Sequence, residues 1–326
     1  MPSAKVTAVC LAAVAGQAAL CHAALNERPI IGILTQPRGT ERNTTDEGAY
    51  IAASYVKFVE MSGARVVPVF HFASEENLTE TFNSVNGLLF PGGGSNISAG
   101  TQLHGSAQLL YDLALKANDN GDVFPVWGTC MGFQFLSMLT AGTESILCEE
   151  CFTTEGMSLP LNFTDLASTS HLYAEMYSTQ PDVFKAAATL PLTANSHHDG
   201  ILSSTYETNT KLSDFYNVLS VNTDPNNGRV FASSIEAKNY PVLATQWHPE
   251  KSNFEWLGGN HVNHSYYAVR LSEYVSQTFI STARKNTHSF PTPKQETEAL
   301  IYNFNAIADP EGYFQQVYLW DPEEYM

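Results

Sequence analysis

Apolar residues are grouped along this chain in two alternating rhythms. Pro29-Ile30-Ile31-Gly32-Ile33-Leu34 is a short unbroken apolar run, the pattern of a strand buried on both faces. Residues 48–62 place Tyr50, Ala53, Val56, Phe58 and Met61 largely on one stripe, which predicts a helix stopped by Gly63. Arg65 to Phe70 predicts the next strand, 75–83 a helix, Gly87 to Phe90 a strand, 103–118 a helix and Val123 to Trp127 a fourth strand. Four near-continuous apolar strands separated by helices predict an α/β fold: a mostly parallel central sheet covered on both faces. The working edge of such a sheet is where its strands end at their carboxyl side.

The second half has a different rhythm. Residues 144–166 are mixed and turn-rich. Strands are expected at 216–222, 229–235 and 241–247, the first two joined by the turn Asp224-Pro225-Asn226-Asn227-Gly228, followed by a long amphipathic helix at 264–284. Beyond Pro291-Thr292-Pro293, Leu300 to Phe304 and Phe314 to Trp320 read as an appended β-hairpin on a single domain spanning 25–326, the extension starting near 290.

Composition narrows the class. The 326 residues are 44% hydrophobic and only 15% charged, too apolar for disorder. A formal charge of −17 argues against nucleic-acid or anionic-membrane partners, which need a basic face. Residues 1–24 carry one charged side chain, Lys5, then an apolar run to about Leu20 and small residues, which reads as a signal peptide. Five Asn-x-Ser/Thr sequons, at Asn43, Asn77, Asn96, Asn162 and Asn263, suggest glycosylated surface loops on a secretory route. Of the cysteines beyond the leader, Cys148 and Cys151 either close a small disulfide or stay unlinked, and Cys130 is the odd thiol.

Cys130 sits where chemistry is expected. Trp127 runs into Gly128-Thr129-Cys130-Met131-Gly132 and then the helical pattern Phe133 to Leu139. Strand, Gly-x-Cys-x-Gly and helix together make a nucleophile elbow, with the thiol at a helix N-terminus whose dipole favours the thiolate. Phe90 runs into a second glycine loop, Gly92 to Gly94. Farther on, Val242 to Trp247 lead into His248-Pro249-Glu250. If that stretch is extended, His248 and Glu250 project to one side, and the carboxylate can orient the imidazole as the third member of a Cys-His-acid set.

These motifs resemble the class I glutamine amidotransferase-like superfamily, and within it the gamma-glutamyl hydrolases. The closer signals are Pro29 to Leu34, Tyr50 to Lys57, Phe124 to Phe133, Leu192 to His197 and Gln246 to Lys251. The resemblance implies a flavodoxin-like sheet and a secreted or lysosomal (in plants vacuolar) cysteine peptidase. It implies cleavage of gamma-glutamyl bonds in poly-gamma-glutamyl folates, usually by a homodimer with no metal or cofactor. Cys130 is then the nucleophile, His248 the base and acid, and Glu250 its orienting carboxylate. Backbone N–H groups of Met131 and Gly93 are the expected oxyanion donors. Tyr55 matches a family tyrosine near the reacting centre, and His197 a family active-site histidine. Gly92 is expected to contact substrate. Because the substrate tail is polyanionic, local cations are needed, and Arg38 and Lys251 are the candidates. The remaining histidines, among them His71 and His288, are expected to be solvated. A glutaminase, a transpeptidase and a non-catalytic folate-binding glycoprotein are the competing readings.

Overall fold

The computed structural model describes residues 25–38, 48–257 and 262–321. The expected signal peptide, 1–24, and the Asn43 sequon lie outside the described residues. No helix among the described residues is long and apolar enough to cross a membrane.

The central sheet has eight strands: β1 Ile30–Leu34, β2 Arg65–Val69, β3 Leu88–Phe90, β4 Val126–Thr129, β5 Asn162–Phe163, β6 Tyr216–Thr223, β7 Val230–Ala237 and β8 Val242–Thr245. Their order is β2-β1-β3-β4-β8-β7-β6-β5. The first five of that row are parallel, in register Ile30↔Arg65, Gly32↔Leu88, Leu88↔Val126 and Val126↔Val242. β7, β6 and β5 then pair antiparallel in turn. The mostly parallel sheet expected from the sequence is present, and its order about β1 and β3 is that of flavodoxin-like folds.

Side chains explain the unbroken apolar runs. Successive residues on a strand face opposite ways. Ile30, Leu34, Leu88, Phe90, Val126 and Ala244 join one core, with helices α2 (Glu75–Phe82), α3 (Gln102–Asp119) and α4 (Met131–Ala141). Ile31, Ile33, Leu89, Trp127 and Leu243 join the other, under α1 (Ala53–Glu60) and the long helix Tyr266–Ala283. Ser74 and Thr101 cap α2 and α3 by accepting the N–H of Asn77 and His104.

Three expectations change. The helix predicted from residue 48 begins at Ala53, because Ala49–Ala52 is a strand. Leu300 to Phe304 is not a strand; Ile301–Asn303 is a single 3-10 turn. The tail is not a free hairpin either. Gln316–Trp320 pairs antiparallel with Ile307–Ala308 on one side and with Ala49–Ala52 on the other, and Ala49–Ala52 pairs with Gln36–Pro37. Edge pairing with a partner more than 260 positions away overrides the local helical stripe at Tyr50. The result is a second, four-stranded sheet beside the carboxyl end of β1.

His71 departs from expectation too. It is fully buried, with Nδ1 3.0 Å from Thr35 Oγ1, and burial pushes its pKa down to about 4. His288 is half-buried and faces Asp122 at 2.8 Å.

Candidate active site

β4 ends at Thr129, and Cys130 turns the chain into α4 with φ +50° and ψ −106°. A non-glycine residue held there is strained, as nucleophile elbows are. The turn is tight enough to require its glycines. A Cβ on Gly132 would lie 2.0 Å from Phe90 O, and one on Gly128 2.7 Å from Gly132 O. Cys130 N–H donates to Thr245 O at 2.8 Å, so the nucleophile is tied to the end of β8. The same strand end delivers His248, whose N–H donates to Ala194 O at 2.8 Å.

His248 Nδ1 lies 2.6 Å from Glu250 Oε1, with both side chains buried. The pair meets through a turn, not through the extended stretch expected. Glu250 has helical backbone angles, φ −68° and ψ −23°, at the start of Lys251–Phe254. Burial alone would lower the His248 pKa, but the carboxylate of Glu250, and then Cys130, outweigh it and raise it to about 9. With Nδ1 on Glu250, Nε2 remains for the hydrogen bond the ring shares with Cys130.

Tyr55 belongs to this centre. Its hydroxyl accepts the N–H of Gly92 at 2.8 Å and lies 3.3 Å from His248 Nδ1. Burial, then the charges of Glu250 and Cys130, hold its pKa well above the usual phenol value, so it stays a hydrogen-bond donor. Gly92 packs against all three groups: a Cβ there would lie 2.6 Å from Tyr55 Oη, 2.7 Å from His248 Cε1 and 3.0 Å from Cys130 Cβ.

Cys130 opens into a cleft of about 430 Å³ whose lining includes Gly93, Met131, Ser196 and His197. Gly93 and Met131 thus flank the thiol, as oxyanion donors must. His197 is in the wall beside the thiol and is not hydrogen-bonded to it. Its Nδ1 faces Asp199 O at 2.9 Å and its Nε2 faces Thr154 Oγ1 at 3.1 Å. Burial pushes its pKa down to about 3, so it is a neutral ring that shapes the cleft.

The peptidase C26 family profile matches residues 29–250. The chain belongs to the peptidase C26 family. It is 41% identical over 298 residues to gamma-glutamyl hydrolase of Mus musculus, covering 91% of this chain and 90% of that relative. It is 39% identical to gamma-glutamyl hydrolase of Homo sapiens, covering 92% of each, and 38% identical to gamma-glutamyl hydrolase B of Dictyostelium discoideum, covering 91% and 84%.

In this peptidase C26 chain the expected cations do not reach the cleft. Arg38 lies in a neighbouring cavity with Tyr50 and Phe314 and donates to Asp321 at 2.8 Å. Lys251 is buried and lines a separate small cavity with Asn195 and Val262. A Lys directly after Glu250 is carried away by the helical turn that places the carboxylate. Cys148 and Cys151 are joined as a disulfide, while Cys130 is a free thiol. Two sequons are not on loops: Asn77 is exposed in α2 and Asn162 is exposed on β5. Asn96 is half-buried and lines the cleft, and Asn263 is half-buried with Nδ2 on Pro191 O.

Three glutamines also serve the site. Gln246 Nε2 donates to Cys130 Sγ at 3.6 Å, and Gln134 Nε2 donates to Gln246 Oε1 and to Asp199 O. Gln36 Nε2 holds Gly92 O at 2.8 Å, and its Oε1 accepts from Tyr50 and Ser95. Gln246 lies two residues before His248 and Gln134 two residues after Gly132, so proximity to those motifs was their available signal. Gln36 had none, because its role depends on the second sheet.

Proposed function

We propose that this protein is a cysteine-dependent omega peptidase that hydrolyses gamma-glutamyl bonds in poly-gamma-glutamyl folates. One observation carries the reading: a strained elbow cysteine lines an open cleft and is hydrogen-bonded to a buried histidine that in turn faces a buried carboxylate. The names of the relatives supply the bond type.

The chemistry follows from the geometry. Cys130 attacks the carbonyl of the gamma-linked amide, and His248 takes the thiol proton. N–H groups of Gly93 and Met131 receive the oxyanion; removal of one such donor typically costs about 3 kcal/mol. Gly92 N–H is committed to Tyr55 and so is not a third donor. Glu250 stabilises the imidazolium, which protonates the leaving amine as the C–N bond breaks. Water, deprotonated by His248, then hydrolyses the thioester and restores the thiol. The buried Gln246 amide offers Cys130 a donor throughout.

The Cys148–Cys151 disulfide favours an oxidising compartment and supports the secretory, extracellular or lysosomal placement expected from the N-terminal pattern. Incubation of wild type and Cys130→Ala with a folate polyglutamate of defined length tests the reading. Release of glutamate or oligoglutamate by wild type alone is expected. Equal release by both, or none by wild type, would refute it.

A further inference from the structure

Gln36 is buried against the glycine loop, and its amide is used at both ends. Nε2 donates to Gly92 O at 2.8 Å. Oε1 accepts from Tyr50 Oη at 3.1 Å and from Ser95 Oγ at 3.2 Å. A main-chain carbonyl can only accept, so the group facing Gly92 O has to be the N–H end of the amide. Gly93 lies flush against the same side chain: a Cβ there would stand 1.9 Å from Gln36 Oε1.

This contact decides which way one peptide unit faces. The bond between Gly92 and Gly93 is trans, and in a planar trans peptide the C=O and the N–H point in opposite directions. With Gly92 O drawn to Gln36, the Gly93 N–H is turned away from Gln36. The flanking residues do not restrain that unit. Glycine on both sides leaves ψ of residue 92 and φ of residue 93 without a Cβ to limit them. The Gly92 N–H, held by Tyr55 Oη, belongs to the preceding peptide and leaves this one free to rotate.

We propose that Gln36 is the positioning residue of the oxyanion hole: it fixes the Gly92–Gly93 peptide with its N–H toward the Cys130 side of the cleft. The role rests on the hydrolase reading above, in which Gly93 and Met131 receive the oxyanion, and Gly93 and Cys130 line the same cleft. Without the amide, the unit can rotate and present a carbonyl where negative charge develops. A donor is then lost and a repulsive dipole takes its place. The second sheet thereby reaches the chemistry, since Tyr50 on the strand Ala49–Ala52 holds the other end of the amide.

Q36M keeps the length of the side chain and removes its donor. Wild type and Q36M are compared on a poly-gamma-glutamyl folate and, separately, for alkylation of Cys130 by iodoacetamide, read by mass on the Cys130 peptide. Alkylation needs the thiolate but forms no oxyanion. Q36M should lose about 100-fold in kcat with KM within about threefold, while its alkylation rate stays within about twofold of wild type. Q36E gives a second readout. Its carboxylic acid can donate to Gly92 O only while protonated, and burial beside a carbonyl keeps such an acid protonated above the usual carboxylate range. Its kcat relative to wild type should fall about tenfold between pH 5 and pH 8. Tyr50, its phenol raised by burial, and Arg38, paired with Asp321, keep their charge across that range. Asp309 and Glu311, whose charges reach Tyr50, are common to both enzymes and cancel in the ratio, as do Cys130 and His248 across the loop. A Q36M kcat within about threefold of wild type overturns the assignment. So does a matching loss of alkylation, which would mark general disruption of the site, and so does a Q36E ratio that ignores pH. A wild type that releases no glutamate overturns the hydrolase reading itself, whereas the other three outcomes leave that reading standing.

Discussion

Replacing Gly92 by alanine adds one methyl group at the point where nucleophile, base and tyrosine converge. The added carbon would sit 2.6 Å from Tyr55 Oη, 2.7 Å from His248 Cε1 and 3.0 Å from Cys130 Cβ. Optimal carbon contacts lie at about 3.5–4.0 Å, so the groups must separate by roughly 0.5–1 Å. Overpacking of this kind costs about 1–3 kcal/mol, which a domain stable by about 5–15 kcal/mol survives folded. Catalysis is less tolerant, since a misplacement of about 1 Å can cost about 100-fold. Gly92→Ala should therefore lose about 100-fold in kcat on a gamma-glutamyl chain, while keeping the circular dichroism spectrum and the titratable thiol content of wild type. Gly94, two positions on, provides the control: a Cβ there meets nothing within 4 Å. Gly94→Ala should stay within about twofold of wild type. A Gly92→Ala enzyme within about threefold of wild type would refute the packing argument. So would equal losses in the two variants, which would point to loop freedom instead of volume.

Two further outcomes are expected. Tyr55→Phe leaves the buried Gly92 N–H without its acceptor, at a cost of about 1–3 kcal/mol, so kcat should fall about tenfold or more with the thermal midpoint lowered; an unchanged kcat would remove Tyr55 from the site. The two perturbed histidines predict opposite limbs of a stability–pH curve. His248, raised to about 9, contributes stability that is complete below about pH 6.5 and lost as pH climbs through 9. His71, depressed to about 4, contributes stability present above about pH 6.5 and lost as pH falls toward 4, amounting to about 2 kcal/mol by pH 5. Melting curves at pH 5, 7 and 10 should show both declines, and His71→Phe should flatten the acid one; the same acid slope in that variant would show that His71 is not its source.

The parallel half of the sheet was legible because each of its strands is buried on both faces and reads as a plain apolar run. Cys130, His248 and Glu250 were legible because elbow geometry and the His-Pro-Glu turn leave short, dense motifs. What the sequence concealed depends on distant pairing. Tyr50 reads as part of a helical stripe, yet its segment is claimed by Gln316–Trp320. Arg38 and Lys251 were chosen for lying near motifs, and proximity along the chain does not decide where a long side chain ends. Arg38 is drawn to Asp321, far off in sequence, and Lys251 is turned away by the helix that Glu250 begins. His71 carries no motif, and only the filled space around it shows that it is interior.

The strand Gln316–Trp320 has a consequence for the order of synthesis. It is an inner strand of the sheet that carries Gln36 and Tyr50, and Gln36 in turn fixes the carbonyl of Gly92. A nascent chain can build the elbow at Cys130 and deliver His248 while its tail is still inside the ribosome. The sheet behind the glycine loop still lacks that strand until residue 320 has emerged. A chain cut short before residue 316 would carry Cys130, His248 and Glu250 on an unfinished support.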